Sequence, residues 1–194
     1  ILMMVFNRPD LTKKIFNEVK KYKPEKLFVS CDGPRNFIKN EKILCNKVQD
    51  VFKNINWKCK VYTNYSKKNL GCKLKVSSSF KWFFSKVDKG IILEDDCLPH
   101  KSFFNYCEQM LDKHKNNKKI LLISGNNFQK NNWRGDGDYY FSKYPHIWGW
   151  AAWKRTFNYY DVSIKKWPKW KKTNKYKKVL SHMLVKEKNY WNKI

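Results

Sequence analysis

The sequence predicts an α/β fold, a mostly parallel sheet flanked by helices. Three observations predict it. Through the first 125 residues, short apolar runs alternate with segments whose apolar residues recur at helical spacing. That order argues for strands joined by crossover helices on both faces of one sheet. The apolar runs end in polar clusters such as Asn7-Arg8-Pro9, Cys31-Asp32-Gly33 and Glu94-Asp95-Asp96. In open α/β sheets, ligands bind at such strand ends. Finally, 42% hydrophobic and 17% aromatic residues over 194 positions can bury a core, so the heavy charge does not imply disorder.

The elements follow in order. Ile1 to Phe6 is a continuous apolar run, as expected of a strand buried on both faces. Asn7-Arg8-Pro9-Asp10 breaks it, and Asp10 suits a helix N-cap. Leu11, Ile15, Val19 and Tyr22 then mark a helix that Pro24 closes. Lys26 to Ser30 is the second strand, ending in the turn Cys31-Asp32-Gly33-Pro34. Phe37, Leu44, Val48, Val51 and Ile55 carry the next helix, and Trp57 to Tyr62 reads as a third strand. A polar loop from Thr63 to Gly71 precedes a helix face of Val76, Phe80, Phe83, Phe84 and Val87. Ile91 to Leu93 is the fourth strand, and three acids follow it.

Pro99 punctuates, and Phe103, Phe104, Cys107, Met110 and Leu111 mark a helix. Ile120 to Ile123 reads as a fifth strand ending in Ser124-Gly125-Asn126. Lys130 to Asp138 is a loop by composition, Tyr139 to Ser142 a short strand, and Tyr176 to Lys188 a helix. The aromatic segment Trp148 to Trp153 stays open between a sugar-stacking surface and a core. Both ends of the chain read as cut, as in a piece of a longer protein.

The net charge of +26 comes from 42 basic against 16 acidic residues. One reading is attraction to an anionic partner. The other is a compositional bias toward Lys, Asn, Ile, Phe and Tyr, favoured because the lysines are spread along the chain. The six cysteines form no C-x-x-C pair, which argues against a structural zinc site. They read as mostly reduced core thiols of a cytoplasmic protein. No apolar run approaches the ~20 residues of a membrane span.

Against this acid-poor background, Glu94-Asp95-Asp96 at a strand end is the most informative segment. Adjacent carboxylates repel and resist burial, and a hard divalent cation, Mn2+ or Mg2+, relieves both. Asp96, last in the run, is the expected metal ligand, while Glu94 and Asp95 point to opposite sides of the chain. The alternative is a solvated acidic turn feeding the next helix. Asp32 suits a hydrogen bond to a base or ribose, or an Asx-turn within its own loop. Arg8 suits phosphate or base, or is a surface arginine. His146 is a candidate metal ligand or a packed histidine among aromatics. Walker A, G-x-G-x-x-G, H-E-x-x-H and G-x-S-x-G motifs do not occur.

Taken in order, several motifs resemble those of GT-A fold glycosyltransferases, the nucleotide-diphospho-sugar transferases. They are Phe6-Asn7-Arg8-Pro9, Asp32-Gly33-Pro34, Asn69-Leu70-Gly71-Cys72 and Glu94-Asp95-Asp96-Cys97-Leu98-Pro99. Ser124-Gly125, Tyr144 to Arg155 with its Trp148-Gly149-Trp150 core, and Tyr160-Asp161 complete the series. The resemblance implies one domain over 1–194, truncated at its C-terminal end. Residues 1–125 would form its nucleotide-sugar half and 126–194 its acceptor side. It implies a nucleotide-sugar donor, usually UDP-linked, with Mn2+ or Mg2+ on Asp96. Phe6, Asn7, Arg8, Asp32, Gly71, Glu94 and Asp95 would contact the donor. Trp148, Gly149 and Trp150 would meet a glycan, lipid-linked or protein acceptor. Related enzymes invert the anomeric centre through a downstream carboxylate. Here Asp161 and Glu187 are the downstream candidates and Asp138 an upstream one, unless the base lies past Ile194. The basic surface suits work at the cytoplasmic face of an anionic membrane. Rival readings are a basic nucleic-acid-binding protein, a Mg2+-dependent phosphotransferase or nuclease, and an inactive nucleotide-sugar-binding module. The first does not explain three acids at a strand end, and no nucleic acid is expected as partner.

Overall fold

Four buried residues, Leu2–Val5, form the central strand β1 in a computed structural model of the chain, which describes residues 1–128 and 135–181. On one side lie β2 (Lys26–Cys31) and β3 (Lys60–Tyr65), on the other β4 (Lys89–Glu94), β6 (Trp150–Trp153) and β5 (Leu122–Ser124). The six-stranded order is β3-β2-β1-β4-β6-β5. β1 runs parallel to β2 and β4, and β2 to β3, whereas β6 is antiparallel to β4 and β5. The expected mostly parallel sheet flanked by helices is therefore present.

Alternation along each strand divides the core in two. Met3, Val5, Val29, Leu93 and Ala151 face α1 (Pro9–Tyr22), α2 (Glu41–Asp50) and α4 (Phe103–Lys113). Leu2, Met4, Phe28, Ile92 and Trp150 face α3 (Gly71–Phe84). On the α3 side, Phe28 meets Tyr62 at 4.4 Å and Phe83 at 4.9 Å between ring centroids. Each such fully buried apolar side chain stabilises the fold by ~1.5–3 kcal/mol.

Several boundaries differ from expectation. Arg8, not Asp10, holds the N-cap position of α1, with Pro9 in the first turn and Asp10 behind it. Proline suits that place because its missing N–H has no helical partner there. Lys23, in the left-handed conformation, ends α1 with its N–H on Val19. α2 begins at Glu41 and excludes Phe37, Val51 and Ile55. β3 starts three residues late, at Lys60, and the Trp57 indole before it donates to the Pro24 carbonyl at 2.9 Å. The first part of the expected loop from Lys130 lies outside the described residues. Tyr139 to Ser142 is not a strand, and its residues are mostly exposed. Trp150–Trp153 is one, with both tryptophans buried.

The chain divides into two compact units, Ile1–Tyr159 and Tyr160–Ile194. The first holds the sheet. In the second, α5 (Trp167–Trp170) and α6 (Asn174–Ser181) bring the rings of Trp167, Trp170 and Tyr176 within 5.0–5.5 Å of each other. α6 starts two residues before the expected helix, whose end at Lys188 lies outside the described residues. Among the described residues, no helix is long and apolar enough to cross a membrane. All six cysteines are free, with Cys31, Cys45 and Cys107 buried and Cys72 exposed.

Candidate functional site

Parallel strands send their carboxyl ends to one edge, and hydrogen bonds show which loops meet there. Glu94 closes β4 opposite Met4, so Asp95 and Asp96 emerge beside the exit of β1. The Phe6 N–H donates to Asp95 Oδ2 at 3.3 Å. Arg8 donates through Nη2 to Asp95 Oδ1 and through Nη1 to Asp96 Oδ2 at 3.2 Å. Asp95 is buried, with its side chain 4% exposed, whereas that of Asp96 is 49% exposed. Burial pushes the Asp95 carboxyl above its ordinary range against the pull of Arg8. Glu94 is raised too, first by burial and then by the charges of Asp96 and Asp95.

Asp32, next to the end of β2, is also buried. Its Oδ1 accepts from the N–H of Gly33 at 2.8 Å and Leu70 at 3.0 Å. Its Oδ2 accepts from Asn69 Nδ2 and from the N–H of Leu70 and Gly71, at 3.1–3.2 Å. One carboxylate thus fastens its own turn and the entrance of α3. An Asx-turn is not formed, since position 34 is a proline without an N–H; apart from Gly33, the donors to Asp32 come from the second loop, Asn69 to Gly71. Gly71 sits at φ +75°, a conformation glycine adopts without strain. The two loops lie so close that a Cβ on Gly33 would come within 2.5 Å of the Lys68 backbone.

A third buried acid, Glu41, was not singled out by sequence. It accepts from Asn7 Nδ2 at 2.8 Å, from the Arg35 N–H at 2.7 Å, and from Arg35 Nε and Nη2. The side-chain bonds of Arg35 are the largest cause holding the Glu41 carboxyl down at about 2. Asn7 is therefore engaged by Glu41, and the Arg35 guanidinium lies 5.6 Å from the Phe6 ring centroid. The only sequence signal was an acid in the first turn of a helix. Buried Lys75 of α3 was also missed, and it ties the end of β3 by donating to the Asn64 carbonyl at 2.9 Å and Ser66 Oγ at 3.0 Å.

On the far side of the acids, Gly125 N–H donates to the Gly149 carbonyl at 3.0 Å, and Trp148 N–H to Asn126 Oδ1 at 3.2 Å. Trp148 is 64% exposed. Trp150 is a correction to the expected acceptor contacts. Its indole is buried in β6 against Phe80, ring centroids 5.4 Å apart, and offers no face to a sugar. Gly149 is buried at φ +77° beside Phe103 and Leu93. A cleft of about 2070 Å3 runs from Asp96 past His100, Ser124 and Asn126 to Asp138, His146 and Trp148.

His146 stands edge-on to Phe128, centroids 4.7 Å apart. Among the described residues, no three His, Cys, Asp or Glu side chains converge as a metal cage. Mg2+ and Mn2+ do not require one, since a single carboxylate with waters and substrate phosphates suffices. The half-exposed Asp96 carboxylate on the cleft wall fits that description.

Asp161, in the second unit, accepts from the N–H of Ser163 at 2.9 Å and Lys165 at 2.8 Å, which hold its carboxyl below the ordinary range. A carboxylate so engaged is a poor proton acceptor. Glu187 lies outside the described residues.

Two solved structures are similar to this chain at low identity. One is a mannosyltransferase from Pyrobaculum calidifontis in complex with GDP-Man and Mn2+. The identity is 9% and the TM-score 0.41, over 63% of this chain and 34% of that one. The other is the 4-diphosphocytidyl-2C-methyl-D-erythritol synthase of Anaerococcus prevotii. The identity is 11% and the TM-score 0.44, over 79% of this chain and 71% of that one. The chain thus spans about a third of the mannosyltransferase's length. No protein-family model matches the sequence, and no curated protein does.

Proposed function

We propose that the chain is a metal-dependent glycosyltransferase of the GT-A kind, moving a sugar from a nucleotide-diphosphate donor to a hydroxyl acceptor with inversion. One observation carries the reading. An acid run at the end of β4, where the loops of β1 and β4 meet, buries Asp95 as a fastener and leaves Asp96 half-exposed at the margin of a large cleft lined by the far side of the sheet edge, from Leu93 to Gly149. Residues 1–125 hold the donor, with UDP as the expected nucleotide, and the acceptor side begins at residue 126. A glycan, lipid-linked or protein acceptor, met at an anionic membrane face, suits the basic surface.

Asp96 would hold Mn2+ or Mg2+ through its half-exposed carboxylate. When bound, the cation neutralises the diphosphate leaving group. Arg8 supplies positive charge beside the same carboxylate. Asp32 and Glu41 act indirectly, by fixing the loops that form the donor side. Trp148 offers an exposed indole face to the acceptor, as aromatic planes suit pyranose C–H groups. The acceptor oxygen bonds to the anomeric carbon as the bond to phosphate breaks, and its proton passes to a carboxylate. Asp138 is the base candidate that shares the cleft with Asp96.

The test is thermal unfolding against a panel of nucleotide sugars, with and without Mn2+. A matching donor at a hundredfold excess over Kd should stabilise by ~2–3 kcal/mol. Asp96→Asn should remove the metal-dependent part. With the matched donor and acceptor, Asp138→Asn should lower kcat by about 10²–10⁴. A panel in which no nucleotide sugar raises the midpoint, with Mn2+ or Mg2+ present, would sink the reading.

A further inference from the structure

Arg8 leaves β1 at the N-cap of α1 and reaches across to the end of β4. Its planar fork spans two adjacent carboxylates, a geometry that an ammonium does not reproduce. The two ends of the bridge differ. At Asp95 the bond is buried, and the same carboxylate also takes the Phe6 N–H. At Asp96 the bond is 3.2 Å long and open to solvent, both side chains being about half exposed. Breaking the buried end would strand a carboxylate away from water, whereas breaking the open end costs little.

We propose that Arg8 is the built-in counter-ion of this strand end: it occupies Asp96 until a divalent cation arrives, then yields it while staying fixed on Asp95. The inference rests on reading Asp96 as the metal ligand. Its consequence is coupling. Before the exchange, Arg8 competes with the cation for one oxygen, so metal alone binds weakly. After it, a guanidinium nitrogen is released beside the metal ligand and can meet an anionic ligand. Cation and nucleotide diphosphate therefore favour one another, and by linkage the effect is the same in both directions.

The experiment is a Mn2+ titration followed by electron paramagnetic resonance of the free ion, with and without UDP or GDP, on the folded chain. The wild type should bind Mn2+ weakly alone and more tightly with nucleotide. Arg8→Gln should bind Mn2+ alone about threefold to fivefold more tightly, the change expected from removing a half-exposed competitor. Its gain on adding nucleotide should shrink. Unchanged or weaker Mn2+ binding in Arg8→Gln, with Asp96→Asn abolishing binding in the wild-type background, would overturn the counter-ion role and leave the metal reading standing. Mn2+ binding that survives Asp96→Asn would overturn both. Should Arg8→Gln fail to fold, Arg8→Lys carries the test. A single ammonium held on Asp95 leaves Asp96 free, so Mn2+ alone binds about twofold more tightly. Equal or weaker binding there refutes the role as well.

Discussion

Replacing Glu41 by Gln removes one charge and almost no volume, and it strikes a group that is 1% exposed. The carboxylate accepts from Asn7 at 2.8 Å and from the Arg35 N–H at 2.7 Å, and it is paired to the Arg35 guanidinium. The glutamine would turn an NH2 group toward some of those donors. Breaking a fully buried pair costs ~3–5 kcal/mol. Arg35 is partly exposed and can turn to water, so the cost here should be about 2 kcal/mol. In a domain of this size that lowers Tm by roughly 4–8 °C. Thermal unfolding followed by circular dichroism at pH 7 measures it. The pH dependence identifies the cause. The Glu41 carboxyl lies at about 2 instead of its ordinary 4.5. A depressed folded value gives stability that is present above the unfolded value and lost as pH falls through the folded one. The gap between wild type and Glu41→Gln should thus be full above pH ~5 and narrow steadily toward pH ~2. Equal midpoints at pH 7, or a gap that stays constant on acidification, would refute the role of the Glu41 carboxylate in holding Asn7 and Arg35.

Three further outcomes are expected. Asp32→Ala should destabilise by ~2–4 kcal/mol in thermal melts without any ligand, because several N–H donors lose their acceptor. A change confined to nucleotide affinity would contradict the fastening role. Trp150→Ala should cost ~3–5 kcal/mol, as core aromatic truncations do. Trp148→Ala should leave stability within ~0.5 kcal/mol, and equal melting losses in both variants would refute the assignment of one to core and one to surface. Thiol labelling of the native protein should modify exposed Cys72 first and leave Cys31 and Cys107, both pushed up to about 12 by burial, unreacted until unfolding. Early labelling of either buried thiol would speak against their packing.

Periodicity made most of the sheet legible, because strands buried on both faces read as apolar runs and their helices as apolar stripes. β1, β2 and β4 needed nothing more. β6 was different. Trp150-Ala151-Ala152-Trp153 is held by ladders to β4 and β5, where Ala151 pairs with Ile91 and Ile123, partners far along the chain that local propensity cannot see. The same limit hid Glu41, whose donor Asn7 lies 34 positions back. Among the acids, the outward place of Asp96 at the end of the run was legible, whereas the partners of buried Asp95, the Arg8 guanidinium and the Phe6 N–H, lie far back along the chain. Asp161 is the opposite case, since its partners are local: the N–H groups two and four residues on engage it.

The chain holds four arginines, Arg8, Arg35, Arg134 and Arg155, among 42 basic residues. Lysine has been taken wherever a positive charge suffices, so the arginines should mark places where a planar fork is required. The three described ones fit. Arg8 bridges two carboxylates, and Arg35 binds Glu41 through two of its nitrogens. Arg155 stacks 3.9 Å from the Trp153 ring centroid and points Nη2 at the carbonyls of His114, Asn117 and Ile120 at 3.3–3.4 Å. An ammonium keeps the charge in each case and loses the second bond or the stack. Arg155→Lys should therefore lower stability by ~1–2 kcal/mol, and Arg35→Lys should lower it as well, although net charge is unchanged in both. Thermal melts at low and at 1 M salt separate the causes, because a pure charge effect is screened whereas the loss of fork geometry persists. Lysine variants as stable as the wild type would mean that charge alone was required, and would leave the choice of arginine over lysine at position 8 without a physical reason.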